Sequence, residues 1–313
     1  MTAFVAGEAG ELVVKQRPIP TPGDAEVMVK TAAVSFNNAD GVQDKPGQIA
    51  GYEFAGVVAA VGESVDPKLL GQRVMGLTVG AFAEYVVAHH RHVVPVPGDL
   101  SDEEAACLPT ALTTEYGALM RAGFHTGDAV IITAATSNLG LIGIQIAKAL
   151  GASTVIGTTR SASRQEVLRD VGADVTIATE ETDLVRAGLA STHGEGAQVV
   201  LDHVGGSTLA EVLSTTSSGG SIVSVGRLSG DMATVDVSVM AARGLSLHAV
   251  SYGFADPEVL GCLLDGLADE VIPAVADRHI KAVVNRVLLF DRAPEALDEL
   301  RNGERTGKVV LRR

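Results

Sequence analysis

Residues 129–151 read AVIITAATSNLGLIGIQIAKALG. The stretch opens with Ala129, Val130, Ile131 and Ile132, an apolar run of the kind a strand buried on both faces requires. A tight turn of small residues follows, from Ala134 through Thr136 to Gly140. Leu141, Ile142, Ile144, Ile146, Ala147 and Leu150 then recur at helical spacing, and Gly151 stops the helix just past its end. Strand, small-residue turn and helix form the first βα unit of a dinucleotide-binding fold. Small side chains let the backbone approach a pyrophosphate, which rests on free N–H groups at the positive end of the helix.

The glycine pattern of such turns is degraded. Where G-x-G-x-x-G would stand, the chain has Ala134, Ser137 and Gly140. A βαβ unit without a ligand is the alternative reading of this motif. Asn138 tolerates the left-handed conformation that these turns need. The second strand, 153–157, runs into Thr158, Thr159, Arg160, Ser161, Ala162, Ser163 and Arg164. A site selective for NAD usually carries an acid here for the ribose 2′-hydroxyl. Two arginines with hydroxyls between them suit a 2′-phosphate, so the expected cofactor is NADPH. The alternative for Arg160 and Arg164 is a solvated helix start, which arginine opposes through the helix dipole.

With 313 residues, the chain is long enough for two domains with cores of their own. Hydrophobic residues at 46% and 35 glycines fit an α/β architecture. A formal net charge of −14 argues against nucleic acid and against an anionic membrane surface as partners. No apolar run reaches a membrane span, and no signal peptide is evident at the start. Cys107 and Cys262 form no C-x-x-C pair, and a reduced cytoplasmic setting is expected.

Residues 1–108 read as mostly β, with short strands at 11–17, 26–34, 54–61, 73–77 and 82–89. Prolines 18, 20 and 22 mark a loop. Ser101 and Glu104 form a capping box at a helix start. Strands at 130–133, 154–157, 175–178, 199–202, 221–225 and 246–251 then alternate with helices, predicting a six-stranded, doubly wound parallel sheet. The tail holds a strand near 284–289, a helix over 294–302 and a strand at 308–311. The expected division is 1–108 with 250–313 as one mostly-β domain, and 109–249 as the dinucleotide-binding domain.

Several blocks resemble the medium-chain dehydrogenase/reductase superfamily, on its zinc-free quinone oxidoreductase and enoyl reductase branch. Gly51, Glu53, Gly56 and Val58, with Val61 and Gly62, resemble its G-x-E-x-x-G-x-V block. Gly71-Gln72-Arg73-Val74 resembles G-D-R-V, and Ala83-Glu84-Tyr85-Val86 resembles A-E-Y-V. Asp202-His203-Val204-Gly205 resembles D-x-V-G, and residues 307–311 the closing strand. The resemblance covers nearly the whole chain, in the family's order. It implies a GroES-like catalytic domain beside a Rossmann domain.

Zinc-using relatives need a cysteine before the G-x-E block, a histidine within it, and a cysteine four residues before the threonine entering the cofactor domain. Here the histidine position is Tyr52, no cysteine lies in residues 35–40, and Cys107 stands seven residues before Thr114. His89, His90 and His92 cluster after the third block and read as surface residues. No bound metal is expected.

The resemblance then implies a reductase passing hydride from NADPH to a quinone or an activated C=C bond. Asn37 and Asp40 match the family's N-x-x-D motif, with Asn37 beside nicotinamide and substrate. Tyr52 is either a proton source or a packed aromatic. Glu53 is expected to be structural. The cofactor set implied is Asn37, Thr114, Ser137, Asn138, Leu139, Gly140, Thr159, Arg160, Ser161, Arg164, Val204, Gly205, Gly226, Arg227, Leu228, Ser251, Tyr252 and Lys308. A tyrosine that relatives often place beside the 2′-phosphate is Ala178 here.

Only ten residues separate Asp40 from Gly51, where relatives carry a longer loop, so a bulky or carrier-attached small-molecule substrate is expected. Glu115 reads as a helix-surface charge, with a carboxylate near the cofactor as the other reading. The apolar strand near 245–250 suggests a homodimer through the sheet edge. Two alternatives stand beside the generalist reductase: a dedicated biosynthetic enoyl reductase or reductive cyclase, and a cofactor-binding protein with little catalysis.

Overall fold

The computed structural model describes residues 1–42, 45–252, 256–302 and 306–313. The chain folds into two compact units. Met1–Thr110, Gly253–Asp277 and Lys281–Arg313 make the first, and Ala111–Tyr252 with Arg278–Ile280 the second.

The first unit is built on β-strands: β1 (Thr2–Ala6), β2 (Leu12–Gln16), β3 (Glu26–Ser35), β4 (Glu53–Val61), β5 (Arg73–Leu77), β6 (Tyr85–His89), β7 (Val93–Pro95), β14 (Val284–Leu289) and β15 (Lys308–Arg312). Its main sheet runs β14-β15-β3-β4-β5-β7, with β6 also on β3, while β1 and β2 pair separately. The sequence reading missed β1 and β7 and drew β6 three residues too long. Residues 82–84 turn away to serve β1 instead: Phe4 N–H donates to the Phe82 carbonyl and Glu84 N–H to the Thr2 carbonyl. Phe4, Phe36, Phe54 and Phe82 are fully buried, and the rings of Phe36 and Phe82 lie 4.6 Å apart. Each such burial is worth about 1.5–3 kcal/mol. The capping box forms as read: Ser101 accepts from Glu104 N–H, and the Glu104 carboxylate accepts from Ser101 N–H, at the head of α1 (Asp102–Ala106).

The second unit carries the parallel sheet: β8 (Ala129–Ile132), β9 (Thr154–Thr159), β10 (Val175–Ala178), β11 (Ala197–Asp202), β12 (Thr216–Ser224) and β13 (Ser246–Ala249). Their order is β10-β9-β8-β11-β12-β13 and every pair is parallel. All six carboxyl ends therefore share one edge, and the order reverses at β8, where such sheets open a ligand crevice. Helix α2 (Pro109–Ala122) enters this unit, and α3 (Asn138–Ala149) follows β8. Among the described residues no helix is long and apolar enough to cross a membrane.

Candidate active site

In the first unit, β3 ends at Ser35, and its direction carries Phe36 into the core and Asn37 out of it. Asp40 is buried and closes the turn that presents Asn37. Its carboxylate accepts the Asn37 N–H at 2.6 Å, while its own N–H donates to the Asn37 carbonyl at 2.9 Å. Expected as a catalytic partner, Asp40 is placed here on the turn's backbone.

Glu53 opens β4 with no exposed surface. One carboxylate oxygen accepts from the Ser35 hydroxyl (2.7 Å), from Asn37 Nδ2 (2.8 Å) and from Lys308 Nζ; the other accepts the Thr110 N–H (2.9 Å). Lys308, at the start of β15, also donates to Asn37 Oδ1 at 2.5 Å. The Asn37 amide is thus oriented by its neighbours. An ammonium can only donate and a carboxylate can only accept, so Oδ1 must face Lys308 and Nδ2 must face Glu53. One Nδ2–H remains beyond these bonds. Lys308, expected to approach the cofactor, has its ammonium buried against Glu53 and Asn37. Tyr52 is half-buried just ahead of β4, and its carbonyl accepts the Thr78 N–H. Burial pushes the Cys107 thiol well up, so it is no nucleophile.

In the second unit, the turn after β8 departs from its sequence reading. Ala134, not Asn138, takes the left-handed backbone (φ 45°). Asn138 is already helical, and Ser137 caps α3 by accepting the Gly140 N–H at 3.1 Å. The surviving glycine is explained by contact: a Cβ on Gly140 would lie 2.5 Å from the Ala135 Cα, which is backbone and cannot move aside. Both amide atoms of Asn138 are buried without partners among the described residues, polar capacity left at the α3 N-terminus. Leu139 follows Asn138 on the first turn of α3.

At the carboxyl end of β9, Thr159 is buried and Arg160 is exposed. Ser161 caps a short turn in which its hydroxyl meets that of Ser163 at 2.9 Å, and Arg164 follows. Ala178 ends β10. After β11, Asp202 is buried and gathers the Thr133 hydroxyl (2.8 Å) and the N–H groups of Val204 and Gly205. Gly226, Arg227 and Leu228 follow β12, and Ser229 N–H donates to the Val204 carbonyl at 2.9 Å. Thr114 sits half-buried on α2. Ser251 is exposed, and Tyr252 lays its ring over Gly117, where burial raises the phenol's pKa.

Glu115 corrects the surface reading. It is fully buried, with one carboxylate oxygen 2.8 Å from His203 Nε2. The helical spacing of Leu112, Glu115 and Leu119 already placed it on the apolar face of α2, a signal the sequence reading passed over. His203 was quoted within a motif but given no role.

Comparison with known proteins places these features. Residues 23–98 match the alcohol dehydrogenase GroES-like domain family, and residues 139–268 match the zinc-binding dehydrogenase family. A quinone oxidoreductase of Pseudomonas aeruginosa is 32% identical over 303 residues, covering 93% of this chain and 92% of that one. An erythronolide synthase of Saccharopolyspora erythraea is 31% identical over 295 residues, covering 92% of this chain and 8% of the synthase. The quinone oxidoreductase of Thermus thermophilus, whose structure was also solved with NADPH, superposes over the full length of both chains with a TM-score of 0.84 at 27% identity. The chain belongs to the medium-chain dehydrogenase/reductase superfamily, in its quinone oxidoreductase branch. It is an oxidoreductase enzyme, with a GroES-like unit and a Rossmann-like parallel sheet.

Zinc-binding dehydrogenases hold a metal through several N or S ligands. Among the described residues no three His, Cys, Asp or Glu side chains are placed to hold a metal ion. Where a cation would neutralise Glu53, Lys308 already does so. His89, His90 and His92 form a loose stack, with ring centroids 4.8 and 5.2 Å apart, and His92 Nε2 meets the Pro257 carbonyl at 3.0 Å.

Proposed function

We propose that this enzyme is an NADPH-dependent, zinc-independent reductase that passes hydride to a quinone or an activated C=C bond. The observation that carries the reading is the Lys308–Asn37–Glu53 cluster, which supplies an oriented amide donor without a metal. NADPH, when bound, supplies the hydride. The chain's own residues hold and polarise. With its oxygen on Lys308 and one N–H on Glu53, Asn37 keeps a second N–H for the oxygen that gains charge as the acceptor is reduced. The Tyr52 hydroxyl is the proton source in this reading. Ser137, Asn138, Leu139 and Gly140 would hold the pyrophosphate, and Thr159, Arg160, Ser161 and Arg164 the 2′-phosphate. Thr114, Val204, Gly205, Gly226, Arg227, Leu228, Ser251 and Tyr252 would line the remaining cofactor site. The exposed edge of β13, which carries Leu247, would join two copies into a homodimer in the cytoplasm.

The test follows absorbance of the reduced nicotinamide with a small quinone and a simple enone, with and without a chelator. Turnover with NADPH that ignores the chelator is expected; loss of turnover on chelation would overturn the zinc-free reading. Arg160→Ala with Arg164→Ala should raise the Kd for NADPH by about tenfold or more and leave NADH binding unchanged. Equal losses for both cofactors would remove the phosphate role.

A dedicated biosynthetic enoyl reductase is the second reading. It is favoured by the likeness to the synthase segment and by the ten residues between Asp40 and Gly51, of which Gln43 and Asp44 lie outside the described residues. An enzyme that oxidises NADPH with a carrier-bound enoyl thioester but not with simple quinones would be of this kind.

A further inference from the structure

We propose that Glu115 and His203 form a positioning pair, which ties α2 to the carboxyl end of β11 and so holds the 203–206 turn in the shape that receives the cofactor. This rests on the NADPH reading above. The pair is buried, with the carboxylate on one element and the imidazole on another. His203 Nε2 meets Glu115 at 2.8 Å, and Nδ1 meets the Thr133 carbonyl at 2.9 Å. Both ring nitrogens thus face acceptors. A neutral imidazole has one N–H to give, so a second proton resides in the pair, on the ring or on the carboxyl. Burial works against a charged ring, but Glu115, the Thr133 carbonyl and Asp202 outweigh it and raise the His203 pKa.

The backbone is held as well. His203 N–H donates to the Thr133 hydroxyl at 2.8 Å, and that hydroxyl donates to Asp202. From this anchor the chain passes to Val204 and Gly205, whose carbonyls accept from the Ser229 hydroxyl at 3.1 and 2.9 Å. Thr114 precedes Glu115 directly. One pair therefore fixes α2 at Thr114, the 204–205 turn and, through Ser229, the segment after β12.

Stability alone does not account for it. The second Glu115 oxygen is buried with no partner among the described residues, and it fills the space over Gly143, where a Cβ would lie 2.4 Å from it. Replacing a buried ion pair by apolar residues is often neutral or stabilising. What a polar pair supplies that an apolar one does not is direction.

The experiment titrates the folded full chain with NADPH by nicotinamide fluorescence and records Tm beside it. The double variant Glu115→Leu with His203→Leu should keep a Tm near wild type yet raise the Kd for NADPH about tenfold. Glu115→Gln, whose amide can donate to a neutral His203, should stay within about twofold. A double variant with wild-type Tm and wild-type Kd overturns the proposal. If the double variant does not fold, Glu115→Ala decides: a Kd equal to that of Glu115→Gln overturns it, and a tenfold rise supports it. Wild-type protein that binds no NADPH removes the cofactor reading and this proposal with it. Wild-type binding with unmoved variants removes the positioning role alone.

Discussion

Glu53 and Glu115 are both carboxylates with no exposed surface, one in each unit, and the protein treats them in opposite ways. Glu53 receives four donors: a hydroxyl, an amide, an ammonium and a backbone N–H. Its carboxylate is met by the Lys308 ammonium, and both of its oxygens accept hydrogen bonds. Glu115 receives one ring nitrogen, and its other oxygen has no partner among the described residues. The first arrangement is a closed structural centre that happens to aim Asn37. The second is under-satisfied, and burial lowers while Glu115 raises the pKa of the ring it depends on, with a net upward shift. A buried acid beside a histidine holds its geometry only while the ring keeps its proton.

The largest expected effect breaks the first arrangement. Lys308→Met leaves the Glu53 charge buried without its cation, and removing one partner of a buried pair costs about 3–5 kcal/mol. Denaturant unfolding should show that loss, and a loss under 1 kcal/mol would mean that the ion pair does not hold this centre together. Lys308→Arg should recover part of it.

Next comes pH. The His203 pKa is raised above its ordinary 6.5, so the pair's contribution is complete below that value and is lost as pH rises through the higher folded-state pKa. The groups facing the ring are Glu115 from α2, Asp202 from β11 and the Thr133 carbonyl after β8. The stability difference between wild type and Glu115→Gln should therefore shrink as pH rises above 6.5. A difference that stays flat over that range would sink the account.

The smallest effect sharpens the contrast. Ser35→Ala removes one donor of four from Glu53 and should cost only about 0.5–1.5 kcal/mol, with the Asn37 amide still oriented by Lys308. A loss as large as that of Lys308→Met would mean that the four bonds act as one unit.

Much of the architecture was legible in the residues. The apolar runs of β8 and β11, the Ser101 capping box and the Gly151 helix stop are local signals, and each formed where it was read. The left-handed position was misplaced by four residues, because tolerance of a conformation by Asn138 says nothing of which residue the turn forces into it. The position falls to Ala134, in the turn between β8 and α3.

What the sequence determined by itself was the family, the alternation of strands and helices, and the residue types at the motif positions, since these are written in short-range period and spacing. What only the tertiary structure decided was the partnership of charges. Lys308 meets Asn37 and Glu53 across more than 250 positions of chain, and His203 meets Glu115 across 88. Nothing local to a lysine, a histidine or a glutamate encodes such a partner. Burial selects it, because a charge removed from water must find its counter-charge or give up its ionised form.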